Sequence, residues 1–321
     1  MVNHGFLAQY RAMDNHTTLG RVSESTPLRV VGVRVGLKER LVNLWDRRDL
    51  IGALAISDIR VKYKGSVLGF FWSMLSPAMT LGIYFLVFSV FLKNGFPNFV
   101  IYLFSGLVVW NFFSTSITTA TGSIVDRAGL VKKVAFPREV LALANVGSAS
   151  VYFAVQLVVL AGCLAAFSHA PAWGFLWLVP LSLLSMLFLV GGLSLILSAL
   201  TVYLRDIRHL VEIALQVWFW MTPVVYSYKN SIATALHSHG LATLYFLNPV
   251  TMIVLTFQRV FYATLSAPST VAPGVTLHVL PTWPMSTYAY VNAGLVGLSA
   301  LFFLVCLAIF GRLEGNFESE L

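Results

Sequence analysis

The sequence predicts an all-α polytopic membrane protein, and three observations carry that prediction. Of 321 residues, 58% are hydrophobic and only 11% charged, whereas a soluble domain is about one-quarter charged. The apolar residues gather in stretches of about 20, the length that crosses the hydrocarbon of a bilayer. The basic residues gather between those stretches rather than inside them. Aromatic residues at 14% also exclude a disordered chain.

The elements follow in chain order. Residues 1–40 are polar and basic and read as a cytosolic tail, with no apolar core of signal-peptide length. Over 41–65, Leu44, Trp45, Ile51, Leu54, Ala55 and Ile59 recur near helical spacing, while Arg47, Arg48, Asp49 and Asp58 take other faces. This is an amphipathic helix, either lying in the inner interface with Trp45 at headgroup depth or packed on a partner. Residues 66–311 hold six spans: Ser66–Leu92, Phe99–Thr121, Val140–Phe167, Phe175–Tyr203, Val211–Tyr228 and Tyr288–Gly311. A seventh apolar region, Leu241–Ala263, carries Asn248-Pro249 near its start and Gln258-Arg259 near its end. Proline breaks the helical ladder and arginine is costly in lipid. That region therefore reads as two short helices that dip in without crossing, inside an outer gate segment over 229–287. Residues 312–321 form a cytosolic C-terminal tail.

Charge supports this topology. Eleven Lys and Arg precede the first span, from Arg11 to Lys64, and four more, Arg127, Lys132, Lys133 and Arg138, lie between the second and third. Arg205, Arg208 and Arg312 complete 18 basic residues on one side, with Lys93, Lys229 and Arg259 on the other. All 13 acidic residues fall on the basic side. The positive-inside rule makes that side cytosolic. The net charge of +8 is thereby explained by topology, with no call for a nucleic-acid partner.

Some chemistry is excluded. No lysine follows a glycine, so the GxxxxGK[ST] nucleotide loop does not occur. If ATP drives this chain, another polypeptide binds it. No carboxylate lies well inside a span, which argues against a proton-coupled carrier. No outer carboxylate is available to serve an outer-face glycosyltransferase. His237 and His239 form the only close histidine pair, without a Cys or carboxylate beside them, so no metal site is expected. Cys163 and Cys306 lie in apolar runs and suggest no disulfide framework.

Other chemistry is present. Phe70, Phe71 and Trp72 open the first span, followed by Tyr84, Phe85 and Phe88; Trp110 lies mid-span in the second, and Trp218 to Trp220 in the fifth. A mid-membrane indole N–H needs a partner away from water. Aromatic faces that stack on sugar rings while their N–H groups bond hydroxyls would suit a glycan conduit; ordinary helix packing or lipid contact is the alternative. The second span carries seven hydroxyls between Ser105 and Thr121, either facing that conduit or bonding back to the helix. Gly65 and Gly69 form a weak GxxxG signal for close helix approach. Arg60, Lys62 and Lys64 precede the first span. They serve either as plain positive-inside anchors or as an attractor for lipid phosphates.

These segments together resemble a known family: the membrane subunit of ATP-binding-cassette exporters of lipid-linked polysaccharide, of the O-antigen, teichoic acid, capsule and cell-wall galactan type. The resemblance rests on DLIGALAISDIRVKYKGSVLGFFWSMLSPAM at Asp49–Met79, IYLFSGLVVWNFF at Ile101–Phe113 and LVKKVAFPREVL at Leu130–Leu141. It continues in WFWMTPVVYS at Trp218–Ser227, LNPVTMIVLTFQRVFY at Leu247–Tyr262 and the acidic ending FESEL at Phe317–Leu321. Residues 1–35 are a longer extension than the family suggests, and no role attaches to them.

The resemblance implies a homodimeric permease in the bacterial cytoplasmic membrane, bound to two copies of a cytosolic ATPase that hold the ATP and magnesium; no cofactor is implied on this chain. It implies six spans and two short outer gate helices, with Asn248, Pro249, Gln258 and Arg259 in the gate. It implies that Trp45, Arg47, Arg48, Lys132, Lys133 and Arg138 couple to the ATPase. It implies a channel lined by Phe70, Trp72, Tyr84, Phe88, Trp110, Trp218 and Trp220, for a glycan on a polyprenyl-diphosphate carrier. Three rivals stand beside this reading: the same architecture exporting a small amphiphile, a secondary carrier, and a scaffold for glycan assembly.

Overall fold

The computed structural model describes residues 36–66, 69–91, 97–132, 136–227, 245–268, 274 and 276–320, and among them helices dominate. The predicted tail up to residue 35, Lys133, and the start of the outer segment over 228–244 lie outside the described residues.

The chain opens with α1 (Leu37–Asp46) and α2 (Arg48–Tyr63). The single helix expected over 41–65 is thus two helices, beginning four residues earlier and broken at Arg47. The early start has a physical cause. Arg40 and Leu44 are four apart and share a face; Leu44 is buried, and Arg40 pairs with Glu139 at 3.2 Å and Glu314 at 3.0 Å. Beyond the break, Ala55 is buried against the third apolar stretch. Gly147 permits this approach, since a Cβ there would lie 3.3 Å from that of Ala55. Ser148 Oγ donates to the Ala55 carbonyl at 3.0 Å.

The first apolar stretch forms α3 (Trp72–Phe85), which widens into a π-helical run over Leu86–Phe91. Then comes α4 (Phe99–Thr121), the axis of the molecule, with most of its residues buried. Two short helices follow, α5 (Ser123–Asp126) and α6 (Ala128–Val131). The long helices α7 (Glu139–Ala166) and α8 (Leu178–Tyr203) come next. Then α9 (Ile207–Trp220) ends in a turn-rich stretch running to Ser227. The outer segment contributes α10 (Pro249–Phe261), followed by an antiparallel hairpin of β1 (Ser266–Pro268) and β2 (Thr276–His278). The chain closes with α11 (Met285–Leu313) and α12 (Phe317–Glu320).

Among the described residues, four helices, α4, α7, α8 and α11, are long and apolar enough to cross a membrane. The closest packing joins α11 to α8. Gly192 allows it, because a Cβ there would meet Phe302 at 2.9 Å and the Phe303 backbone at 3.2 Å. A buried polar node lies on the same seam. Ser182 donates to Asn292 at 2.6 Å, and Asn292 donates to Thr256 at 3.0 Å and to the Tyr288 carbonyl at 2.8 Å. It ties α8, α10 and α11 together.

One end of the bundle is basic and cross-linked by charge. Arg127 pairs with Asp58, and Arg208 bonds Asp126 at 2.6 Å and the Gly122 carbonyl at 3.1 Å. The C-terminal segment folds onto this end. Tyr203 donates to the Leu313 carbonyl at 2.7 Å, and Phe317 is buried.

Candidate functional site

The aromatic residues form a seam between α3, α4 and α9. Tyr84 of α3 stacks on Phe219 of α9, with ring centres 6.0 Å apart. Phe219 meets Trp110 of α4 edge-on at 5.3 Å, and Trp110 meets Phe113 at 5.4 Å. Phe88 joins the seam's far edge, against Tyr84 at 6.3 Å and Phe99 at 6.4 Å. Phe219 is the hub, yet sequence reasoning chose its two neighbours. Successive helical residues point about 100° apart, so the run Trp218-Phe219-Trp220 sends three rings in three directions. Phe219 enters the seam and Trp220 faces outward.

The predicted lining residues thus divide. Trp72 is 45% exposed and Trp220 54% exposed, on the surface of the chain. Tyr84 and Phe88 are half-buried. Trp110, at 7% exposure, is covered inside the protomer. The side chain of Phe70 lies outside the described residues.

Trp218 has a partner that the sequence did not reveal. Its indole donates to Asn248 Oδ1 at 3.0 Å, and Asn248 Nδ2 donates to Thr222 Oγ1 at 3.2 Å. The same Oδ1 caps α10 by accepting from the Val250 amide at 3.1 Å, with Pro249 at the first helical position, where its missing N–H costs nothing. At the helix's other end, Gln258 Nε2 donates to the Pro223 carbonyl at 2.9 Å. Tyr102 of α4 donates to the Tyr226 carbonyl at 2.8 Å. Arg259 is held within the chain, donating to the Ala263 carbonyl at 2.9 Å with its guanidinium 4.2 Å from the centre of the Phe175 ring. Thr251 Oγ1, Gln258 Oε1 and Arg259 Nε are buried without a partner among the described residues.

The hydroxyls of α4 mostly bond back to their own helix. Ser105 donates to the Tyr102 carbonyl at 2.8 Å, Thr119 to Thr115 at 2.8 Å, and Thr121 to Ile117 at 2.7 Å. A side-chain bridge at mid-helix comes from Asn111, which donates to Gln156 of α7 at 3.1 Å.

At the basic end, Arg60, Lys62 and Lys64 are exposed along the C-terminal turn of α2. The Lys62 ammonium sits 4.8 Å from the centre of the Tyr152 ring, a cation–π contact. Trp45 is 70% exposed, with the Arg48 guanidinium 5.4 Å from its ring centre. Arg47 and Lys132 are exposed as well. Arg138 faces inward instead. Its guanidinium donates to the Glu314 carbonyl at 2.9 Å, and its amide donates to the Glu314 carboxylate at 3.3 Å. Lys133 lies outside the described residues. Among the described residues, no group of three His, Cys, Asp or Glu could hold a metal ion.

Known proteins share this chain's pattern. The family model described as ABC-2 type transporter matches residues 49–262, from the start of α2 to the end of α10. The chain is 34% identical over 224 residues to an O-antigen export system permease protein, RfbA, of Myxococcus xanthus, covering 70% of this chain and 84% of the relative. It is 28% identical over 213 residues to an RfbA of Klebsiella pneumoniae, also described as an O-antigen export system permease, covering 66% and 80%. The family match takes in the aromatic seam, the Asn248 cap and the basic turn of α2 alike, and the chain belongs to the ABC-2 type transporter family of membrane proteins.

Proposed function

We propose that this chain is the permease subunit of an ATP-binding-cassette exporter of polyprenyl-diphosphate-linked polysaccharide. The observation that carries this reading is the likeness, over most of the chain, to permeases whose names specify O-antigen export. The exposed rings of Trp72 and Trp220, beside half-buried Tyr84 and Phe88, support it physically. Two copies of the chain bring these faces together around a conduit, in which a series of weak stacking sites lets a long polymer move. In this arrangement α3 with its π-helical run and α9 with its terminal turn serve as the first and fifth of six spans. Both termini are cytosolic in the bacterial inner membrane. The segment over 229–287, with α10 as one of two short re-entrant helices, forms the outer mouth. Trp110 and Trp218 shape the conduit from behind.

A separate ATPase, two copies per homodimer, binds ATP and magnesium. It docks against the basic end, where Trp45, Arg47, Arg48 and Lys132 are exposed and Arg138, with Lys133 on the same loop, sets the loop's path. Arg60, Lys62 and Lys64 attract the lipid diphosphate from the inner leaflet. The test is depletion of the chain in its native cell, followed by analysis of lipid-linked glycan by membrane side. The expected outcome is long polyprenyl-linked polymer accumulating on the cytosolic face. Normal glycan on both faces would overturn the proposal and favour export of a small amphiphile.

A further inference from the structure

We infer that α10 is not a moving gate but a fixed strut, bolted to the turn after α9 so that α4, α9 and α10 move as one body during export. The inference goes beyond the proposed function and rests on it only for the existence of a transport cycle.

The first bolt is Asn248. One amide side chain caps α10, holds the Trp218 indole and holds the Thr222 hydroxyl. Any rotation of α10 away from α9 breaks the bonds to Trp218 and Thr222 together. The second bolt is Pro223. Its carbonyl accepts from Gln258 of α10 at 2.9 Å and from Tyr102 of α4 at 3.4 Å. Such a shared acceptor is what a buried, irregular backbone needs, since unpaired carbonyls away from water are costly. Packing agrees with the bonds. Gly106 of α4 leaves room for this joint and little more: a Cβ there would lie 3.0 Å from Gln258 Nε2 and 3.4 Å from the Val224 Cα. From Val250 to Gln258 every residue of α10 is buried. A hinged flap would instead keep one face free, exchange few bonds and tolerate a bulkier residue at Gly106. Thr251 Oγ1 and Gln258 Oε1 do lack partners, and a second arrangement could satisfy them. It would cost the three side-chain bonds that join α10 to α9 and its turn, and expose the apolar side of the helix.

The first experiment joins the two elements covalently. Thr222→Cys and Asn248→Cys, with Cys163 and Cys306 replaced by Ala, place two thiols where side chains now sit 3.2 Å apart. The pair is bridged in cells with a short bis-methanethiosulfonate, each thiol displacing a sulfinate to form a disulfide, and glycan export is followed. The strut predicts that bridged protein exports as well as the same variant left unbridged. Export blocked by the bridge and restored by reduction would overturn it. Should the variant fail to accumulate, the unmodified complex with its ATPase decides by amide hydrogen exchange. Protection over 250–258 that stays within about threefold on binding a non-hydrolysable ATP analogue supports the strut; a loss beyond about tenfold overturns it. The exchange measurement does not depend on what is exported, so a failed export reading and a failed strut are distinguishable.

Discussion

Helix α10 and the helices α3 and α9 all carry chemistry-bearing side chains, but they use them differently. On α10, Asn248 and Gln258 bond inward to the turn after α9, and Arg259 bonds to its own helix end. On α3 and α9, Trp72 and Trp220 are exposed, and the ring of Trp220 meets only that of its neighbour Phe219 among the described contacts. The difference separates two uses of an aromatic or amide in an apolar helix. Where the group has found a partner within the chain, it holds the scaffold. Where its ring faces outward, it is available to a second copy or to cargo. Trp218 and Trp220 show both uses two residues apart.

Substitutions can break this comparison, and the largest effect is expected at glycine. Gly106→Val drives two methyl groups into Gln258 and the Val224 backbone. Overpacking costs about 1–3 kcal/mol, and accumulation in the membrane should fall severalfold on immunoblots. Gly82→Val on α3, which meets nothing within 4 Å, should accumulate normally. Equal loss from both would erase the distinction between the regions.

Next in size is the cap. Asn248→Ala removes an N-cap worth about 1 kcal/mol and strands the Trp218 indole. The purified protein should unfold at a lower temperature, whereas Asn248→Asp, which keeps the acceptor, should recover part of the loss. A melting temperature indifferent to both would mean that Asn248 holds nothing. Trp218→Leu should behave like Asn248→Ala, lowering stability and export together. Trp220→Leu should lower export alone.

The smallest effect is expected at the basic turn. Lys62→Gln forfeits a cation–π contact of about 0.5–1 kcal/mol together with one positive charge near the membrane. Export should fall modestly, and the difference from the wild type should shrink at high ionic strength, where the charge is screened. Unchanged export at every salt concentration would leave Arg60, Lys62 and Lys64 as topological anchors only.

The long helices were legible because their length and apolarity are properties of a continuous stretch. Phe99–Thr121 matches α4 at both ends, and Val140–Phe167 lies within one residue of α7 at each end. The end of α9 was less legible. The apolar run continues to Tyr228, but the helix stops at Trp220, three residues before Pro223. Proline explains the stop locally; that the turn is then buried against α4 and α10 is a tertiary fact. The amphipathic start was placed late because Arg40 reads as a charge for solvent until Glu139 and Glu314, 99 and 274 residues away, come beside it. In the seam, residue type drew attention to the run Trp218-Phe219-Trp220 but not to which of its rings meets α3 and α4. Phe219 has no polar atom to advertise, and only the rotation of α9 against α4 brings it into contact with Trp110 and Tyr84. Arg259, a costly charge in an apolar run, has its guanidinium held against Phe175 and the Ala263 carbonyl.

The most direct test of the account replaces the two exposed rings together. Cells depleted of the native chain receive Trp72→Leu/Trp220→Leu at matched membrane level, and lipid-linked glycan is assayed on each side of the membrane. The account predicts polymer retained on the cytosolic face although the protein is folded and abundant. A wild-type distribution of glycan across the two faces would contradict it.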